Sequence, residues 1–429
     1  MKYSPIHSDL FVQNRSRLVN MMKPNAIAIF LANDEMPRSA DSHHSFRQNA
    51  DLFYLTGIDQ EQTILVLFPD HPIPANREML FIRRTNEVIA VWEGHKYTMD
   101  EAQTTSGISN IHWVDSFENI LPPLMYQAST CYLNLNEHSR MFNHVPDKEM
   151  RFARDLRESF PLHQFERVAP LMHFLRATKS DIELELMRKS VEITEKAFRR
   201  VLAFVKPGVY EYEIEAEIQH EYLINRATGP AYPSIIAAGK NSCVLHYTDN
   251  NQTCKDGDIL LMDFGADYAN YAADLTRTIP VNGRFSPRQL AVYRAVLRTL
   301  NFAKTLLTPN TLIEEYHKEV GNFMESELIQ LGLLHAKEVA RQNPDKPLYK
   351  KYFMHGTSHF LGIDVHDVGN RYLPLREGMV LTCEPGIYIP EEGLGIRLEN
   401  DIIVTNGAPI DLMANTPIEP EEIEDLMNR

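Results

Sequence analysis

The sequence predicts an α/β (α+β) protein with a mixed α/β domain over residues 1–175 and a pseudo-twofold domain over residues 176–429. Three observations predict this fold class. The chain of 429 residues exceeds one ordinary domain. Its first third alternates short apolar runs with polar breaks, which is typical of strands. Its second part contains two similar segments, so two related halves are expected there.

In the first domain the apolar runs predict four strands, at residues 26–32, 63–68, 79–83 and 131–135. The second domain begins with a predicted long helix. Ser180 and Glu183 match a capping box, apolar residues recur at helical spacing after it, and Pro207 and Gly208 stop it. We place the domain boundary just before this cap. Two further long helices are predicted at residues 287–307 and 310–334.

The repeated segments are residues 255–265 and 376–386, which align without gaps. Their turn glycine, apolar run and closing glycine coincide, and Asp263 aligns with Glu384. Each segment predicts a turn that leads into a buried strand ending in a carboxylate. A chance similarity is the alternative. If the half-domain is duplicated, the two carboxylates meet across a pseudo-twofold axis.

Composition excludes several classes of protein. The net charge of −15 argues against a nucleic-acid surface, which needs a basic patch. No apolar run is long enough for a secretory signal or a membrane span, so no membrane association is expected. The four cysteines lack Cys-x-x-Cys spacing, which favours a reducing, cytoplasmic location. Cys383 adjoins Glu384 and is expected to point to the opposite face, into packing.

Acidic residues at the ends of predicted strands are the candidate metal ligands. A carboxylate there is costly unless it is paired or bound to a metal. A hairpin at residues 267–270 can bring two of them to one pocket. Four carboxylates and one imidazole suit hard divalent ions such as Mn²⁺, with Co²⁺ or Zn²⁺ possible. The candidates are Asp263, Asp274, His359, Glu384 and Glu399.

Each candidate also has an ordinary structural alternative. An Asp near a hairpin is usually a turn former, and Glu399 can pair with Arg397. His355 and His359 have the spacing of a zinc-binding helix, but the neighbouring glycines disfavour a helix there. The five positions together are more specific than any one of them.

Seven segments resemble the signature blocks of the aminopeptidase P and prolidase family, whose catalytic domain has the pita-bread fold. They are residues 241–247, 261–265, 274–278, 355–359, 365–369, 384–386 and 396–399. In the first domain, residues 46–49 and 54–57 resemble the N-terminal domain of bacterial aminopeptidase P. The resemblance therefore covers the second domain almost completely and extends more weakly into the first.

The resemblance implies two divalent metal ions per chain, with Mn²⁺ as the first choice. Asp263 and Asp274 are expected to hold one ion, and His359 and Glu384 the other. Asp274 and Glu399 are expected to bridge them. Arg397 is then expected to orient these ligands from outside.

The resemblance further implies hydrolysis of the N-terminal Xaa-Pro bond of peptides by a hydroxide that the two ions share. His246 and His366 are expected to contact the scissile carbonyl, His355 to lie near the substrate, and Glu384 to carry the proton. A homodimer or homotetramer is expected. Two alternatives stay open: a prolidase restricted to dipeptides, which residues 46–49 and 54–57 disfavour, and a non-catalytic pita-bread binding module, which the five filled ligand positions disfavour.

Overall fold

The computed structural model describes residues 3–141 and 144–429, which form two compact units. The first unit is Pro5–Arg176, and the second is Ala177–Arg429 together with residues 3 and 4. Both units combine helices with sheets, so the predicted α/β class is confirmed. Within the described residues, no helix combines the length and the apolar character that crossing a membrane requires.

The first unit contains a mixed six-stranded sheet in the order β6-β5-β4-β1-β7-β8, and a separate β2–β3 ribbon. The strands are β1 (Ala26–Leu31), β2 (Pro37–Ser39), β3 (Ser42–His43), β4 (Ile64–Leu67), β5 (Glu78–Ile82), β6 (Ile111–Trp113), β7 (Thr130–Leu133) and β8 (Gln164–Arg167). The helices are α1 (Asp9–Val19), α2 (Ala50–Thr56), α3 (Glu87–Glu93), α4 (Met99–Ser106), α5 (Phe117–Met125), α6 (Lys148–Ser159) and α7 (Ala169–Ala177). The four strands predicted from the sequence correspond to β1, β4, β5 and β7.

Strand β1 lies in the middle of this sheet, antiparallel to β4 and parallel to β7. All six of its residues are buried, because both faces of the sheet are covered, and this explains its unbroken apolar run. Ile27 and Ile29 pack in one cluster with Leu121 and Leu124 of α5.

The second unit holds several small antiparallel sheets: β10-β11-β14, β9-β12-β13, β15-β18-β19 and β16-β17. The strands are β9 (Gly229–Pro230), β10 (Ile235–Ala238), β11 (Ile259–Phe264), β12 (Ala266–Tyr268), β13 (Tyr271–Ala272), β14 (Leu275–Pro280), β15 (Val380–Cys383), β16 (Gly386–Ile389), β17 (Leu394–Arg397), β18 (Asn400–Ile403) and β19 (Ile410–Asp411). The helices are α8 (Asp181–Phe204), α9 (Glu211–Ile224), α10 (Pro287–Leu306), α11 (Ile313–Gln330), α12 (Ala336–Val339) and α13 (Pro420–Met427).

The structure confirms one of the predicted helix starts and contradicts another. Ser180 caps α8 through the predicted capping box with Glu183, so that start is confirmed. The predicted start of the third long helix at residue 310 is wrong, because α11 begins at Ile313. Asn310 has φ +71°, a left-handed value that a right-handed helix excludes. The same helix ends at Gln330 rather than at residue 334, since Gly332 with φ +73° terminates it.

The repeated segments have the same local structure. Gly257 and Gly378 both have φ +82°, and each turn leads into a buried strand, β11 or β15. The carbonyl oxygen of the residue after each glycine accepts an N–H at 3.0 and 2.8 Å, from Val281 just after β14 and from Val404 just after β18. The two sheets are joined by an antiparallel bridge between Thr276 and Glu399. The two repeated segments therefore bring the ends of β11 and β15 close together.

The predicted hairpin before Asp274 is formed by β12 and β13. Its turn residues, Ala269 and Asn270, have φ 55° and 64°, the left-handed values that a type I′ two-residue turn requires. The hairpin returns the chain so that Asp274 directly precedes β14, beside the end of β11.

Gly265 forms the corner between β11 and β12, and a Cβ atom there would lie 1.7 Å from the carbonyl oxygen of Ala273. Gly265 lies between β11 and β12, and Ala273 lies between β13 and β14, so paired strands on both sides restrict the movement of each backbone. We therefore expect Gly265→Ala to destabilise the second unit strongly. Gly257→Ala is the matched control. A Cβ atom at Gly257 meets open space, so only the left-handed backbone is strained, at a cost of about 1–2 kcal/mol. Denaturant unfolding that shows Gly265→Ala to be the milder change would contradict this packing.

Candidate metal centre

The structure brings the five candidate ligands together in the second unit, where the β10-β11-β14 sheet meets the β15-β18-β19 sheet. One nitrogen or oxygen atom from each of Asp274, His359 and Glu399 lies within 4.8 Å of the others. Glu384 approaches this group, with its Oε1 3.9 Å from Nε2 of His359. Asp263 approaches it from the end of β11, and it shares a hydrogen-bonding partner with Asp274.

His359 presents one ring nitrogen to the carboxylates. Its Nδ1 lies 3.0 Å from the carbonyl oxygen of Phe360, so this nitrogen carries a proton and donates it. Its Nε2 lies 3.4 Å from Oδ2 of Asp274. Burial by itself disfavours the imidazolium, but Asp274 and Glu384 outweigh it and raise the pKa of His359. A cation bound between these groups would take the place of the second ring proton.

Tyr232 is a site residue that the sequence analysis missed. Its hydroxyl lies 2.7 Å from Oδ1 of Asp263 and 2.5 Å from Oδ1 of Asp274. Burial and these two carboxylates raise its pKa well above the usual value. One hydroxyl proton can satisfy only one of the two carboxylate oxygens. At Tyr232 the carboxylates of Asp263 and Asp274 therefore lie closer together than their like charges favour.

Arg397, the candidate for orienting the carboxylates, directly contacts one of them, Asp263. Its Nη2 donates to Oδ2 of Asp263 at 2.6 Å, and its Nη1 donates to the hydroxyl of Tyr388 at 2.8 Å. Its Nε donates to Oγ1 of Thr276, which in turn donates to Oε2 of Glu399 at 2.6 Å. The structure shows no direct Arg397–Glu399 pair among the described residues, so Glu399 is held through the threonine.

The site carries an excess of negative charge. Burial raises the pKa of Glu384 to about 7, with Asp274 and Asp263 adding to it. Burial, followed by the charge of Asp274, raises the pKa of Glu399 well above its usual value. Burial also raises the pKa of Asp263, against the opposing charge of Arg397. Burying charged carboxylates here costs free energy unless cations compensate their charge. The cluster is therefore suited to bind divalent metal ions.

His355 lies beside the cluster and is held in one tautomer. Its Nδ1 is 2.8 Å from the carbonyl oxygen of Gly356, and its Nε2 is 2.8 Å from the hydroxyl of Tyr388. Because Arg397 donates to that same hydroxyl, the Tyr388 proton points to His355. Burial, and then the charge of Arg397, lowers the pKa of His355 to about 3, so the ring is neutral at physiological pH.

The two remaining predicted histidines lie on the solvent side. His366 is exposed, and its ring packs edge-to-face on that of His359 with centroids 4.4 Å apart. His246 is exposed too, and it lies close enough to His355 to act on it electrostatically. Both can therefore face a substrate that enters from solvent.

Cys383 points away from the carboxylates, as strand alternation predicts. It is fully buried, and its Sγ lies 3.5 Å from the hydroxyl of Tyr316 in α11. Burial raises the pKa of its thiol to about 12. This residue therefore contributes packing rather than a ligand or a nucleophile.

Comparison with known proteins gives two family matches and full-length relatives. The model of metallopeptidase family M24 matches residues 185–406, and that of the aminopeptidase P N-terminal domain matches residues 11–132. The chain is 36% identical to the Xaa-Pro aminopeptidase of Escherichia coli K12, over 99% of this chain and 98% of that protein. Its fold is similar to Pseudomonas aeruginosa aminopeptidase PepP (TM-score 0.90, 33% identity, 99% and 98% coverage). It is also similar to zinc-substituted E. coli aminopeptidase P in complex with product (TM-score 0.88, 35% identity, 99% coverage of both chains).

The raised carboxylate pKa values predict how pH affects the metal-free protein. Glu384 has an ordinary pKa of 4.5 and a folded-state pKa of about 7, so the folded state holds a proton that the unfolded state releases. The contribution of Glu384 to the free energy of unfolding is therefore greatest below pH 4.5, and it is lost as the pH rises through 7. We expect chelated protein to unfold at a lower temperature at pH 8 than at pH 5.5.

Glu384→Gln is the control for that pH dependence, because it removes this titration and should flatten the profile. Divalent metal added at pH 8 should raise the unfolding temperature of the unmodified protein more than that of the variant. A stability of the chelated protein that rises between pH 5.5 and 8 would contradict the charge assignment.

Proposed function

The chain belongs to metallopeptidase family M24, and we propose that it is a metal-dependent aminopeptidase that releases the first residue of peptides with proline in second position. The cluster of Asp274, His359 and Glu399 is the observation that carries this proposal. The relatives named Xaa-Pro aminopeptidase support the substrate class, since the E. coli protein aligns over almost the whole of both chains.

We propose two divalent ions per chain. Asp263 and Asp274 would hold one ion, His359 and Glu384 the other, with Asp274 and Glu399 shared between them. The oxygen-rich donor set favours Mn²⁺ and tolerates Co²⁺ or Zn²⁺. Ions of this kind supply a polarised carbonyl and a water of lowered pKa.

Glu384 is proposed to move the proton. Its carboxyl titrates near neutral pH in the metal-free site. It can therefore accept a proton from the attacking water and deliver it to the leaving nitrogen. This delivery matters for proline, because an Xaa-Pro bond has no N–H and its nitrogen is hindered.

His246 and His366 are proposed to stabilise the carbonyl oxygen as negative charge develops on it. Both are exposed beside the cluster, where a peptide carbonyl can reach them. An N–H donor aimed at that oxygen acts mainly in the transition state. The neutral His355 is proposed to line the substrate pocket, and the substrate's free α-ammonium would meet the acidic cluster.

The substrate proposal is tested by peptide length. We expect a higher kcat/KM for an Xaa-Pro-Yaa tripeptide than for the Xaa-Pro dipeptide with the same first residue. The matched control replaces proline by alanine in the tripeptide, which should lower kcat/KM if the ring is recognised by shape. A clear preference for the dipeptide would make the protein a prolidase.

His366→Ala and His359→Ala separate the two proposed histidine roles. His366→Ala should keep its metal content and lose about 10²–10³-fold in kcat, because only a transition-state donor is removed. His359→Ala should lose metal as well as activity. Metal analysis of both purified variants checks this. A metal-depleted but folded His366→Ala variant would show that the two roles have been exchanged.

A further inference from the structure

Arg277 of β14 is a fully buried charged residue outside the proposed ligand set. Its Nη1 donates to the carbonyl oxygen of Glu399 at 2.8 Å and to that of Thr276 at 3.0 Å. Its Nε donates to the carbonyl oxygen of Pro417 at 2.9 Å. One guanidinium therefore fixes the main chain of a proposed bridging residue to β14 and to the C-terminal segment.

Asp401 of β18 makes the reciprocal contact. It is fully buried, and its Oδ2 accepts the backbone N–H of Asp274 at 3.2 Å. Each strand thus supplies a buried polar side chain that holds the main chain of the bridging candidate beside the other strand. Asp274 directly precedes β14, which carries Arg277, and Glu399 directly precedes β18, which carries Asp401. We call the backbone contacts of Arg277 and Asp401 the cross-brace, because together they connect the two sheets.

The cross-brace is costly for stability. Nη2 of Arg277 and Oδ1 of Asp401 are buried, and neither makes a hydrogen bond with any of the described residues. Buried charges without close pairing destabilise a fold relative to apolar residues of similar size. A residue pair of this kind is better explained by the geometry it enforces than by the stability it contributes.

We propose that Arg277 and Asp401 are positioning residues that set the spacing between the carboxylates of Asp274 and Glu399, and so allow the site to hold its second divalent ion. This role rests on the proposed function, since both bridging candidates come from it. The brace acts through backbone atoms only. It adjusts where the two carboxylates stand without touching a metal or a substrate. Removing partners of this outer kind typically lowers metal affinity about 10–100-fold.

The test is titration of chelated protein with Mn²⁺ alone, by calorimetry and by metal analysis after dialysis. Asp401→Ala removes the acceptor for the N–H of Asp274, and we expect the weaker of two Mn²⁺ affinities to fall about 10–100-fold. Asp401→Asn keeps an oxygen at the same place and should bind Mn²⁺ nearly as the wild type does. Arg277→Met should resemble Asp401→Ala. If Arg277→Met does not fold, as judged by circular dichroism, Asp401→Ala decides the question.

Arg15→Met is the matched control. Arg15 is a fully buried arginine of the first unit that donates to the carbonyl oxygens of Leu55 and Ser106. Its loss should lower stability and leave Mn²⁺ binding unchanged. This comparison separates a general loss of stability from a specific change at the metal site.

Three results would overturn the positioning role alone. The first two are a folded Asp401→Ala variant that binds two Mn²⁺ with unchanged affinity, and an Asp401→Asn variant that binds Mn²⁺ as weakly as Asp401→Ala. Weakening of Mn²⁺ binding by Arg15→Met to the same extent would also overturn it. A wild-type protein that binds fewer than two Mn²⁺ would instead refute the proposed two-ion site, and the positioning role with it.

Discussion

Mutual repulsion among largely buried carboxylates is the constraint on which the second unit depends. Asp263, Asp274, Glu384 and Glu399 meet at one place, and burial raises the pKa of three of them. Isolated buried charges of this kind would be too costly for a stable fold. The tyrosine, threonine and arginine contacts around them offset part of that cost, and the divalent cations that we propose would offset the remainder. The same excess charge would favour the binding of such cations.

The duplicated architecture explains how these residues meet. Two turn glycines with the same left-handed φ lead into two buried strands, and the bridge between Thr276 and Glu399 joins the sheets at the strand ends. Strands are stiff and their alternation is strict, so an acid at a strand end has a defined direction. Arg397 and Thr276 then fix the carboxylate oxygens, while Arg277 and Asp401 brace the main chain behind them.

The features that were predicted correctly from the sequence are those that depend on residues close together in the chain. Apolar runs, the capping box at Ser180 and the internal repeat each depend on neighbouring residues, and the structure contains all of them. The start of α11 was wrong because the left-handed backbone of Asn310 has no periodic signal. Tyr232 was missed because its partners lie 31 and 42 residues away. The pairing of Glu399 could not be decided from its closeness to Arg397 in the chain, since three-dimensional packing sends that guanidinium to Asp263.

We propose that this carboxylate cluster holds two divalent ions, and anomalous diffraction tests this proposal most directly. Crystals of chelated protein soaked in Mn²⁺ should show two anomalous peaks. One should lie between Asp263 and Asp274 and the other beside His359 and Glu384, with Glu399 in contact with both. Two-metal sites of this class place their ions about 3.5–4 Å apart. A single peak that leaves Asp263 or Glu399 without a metal contact, or no peak at the cluster, would contradict the account.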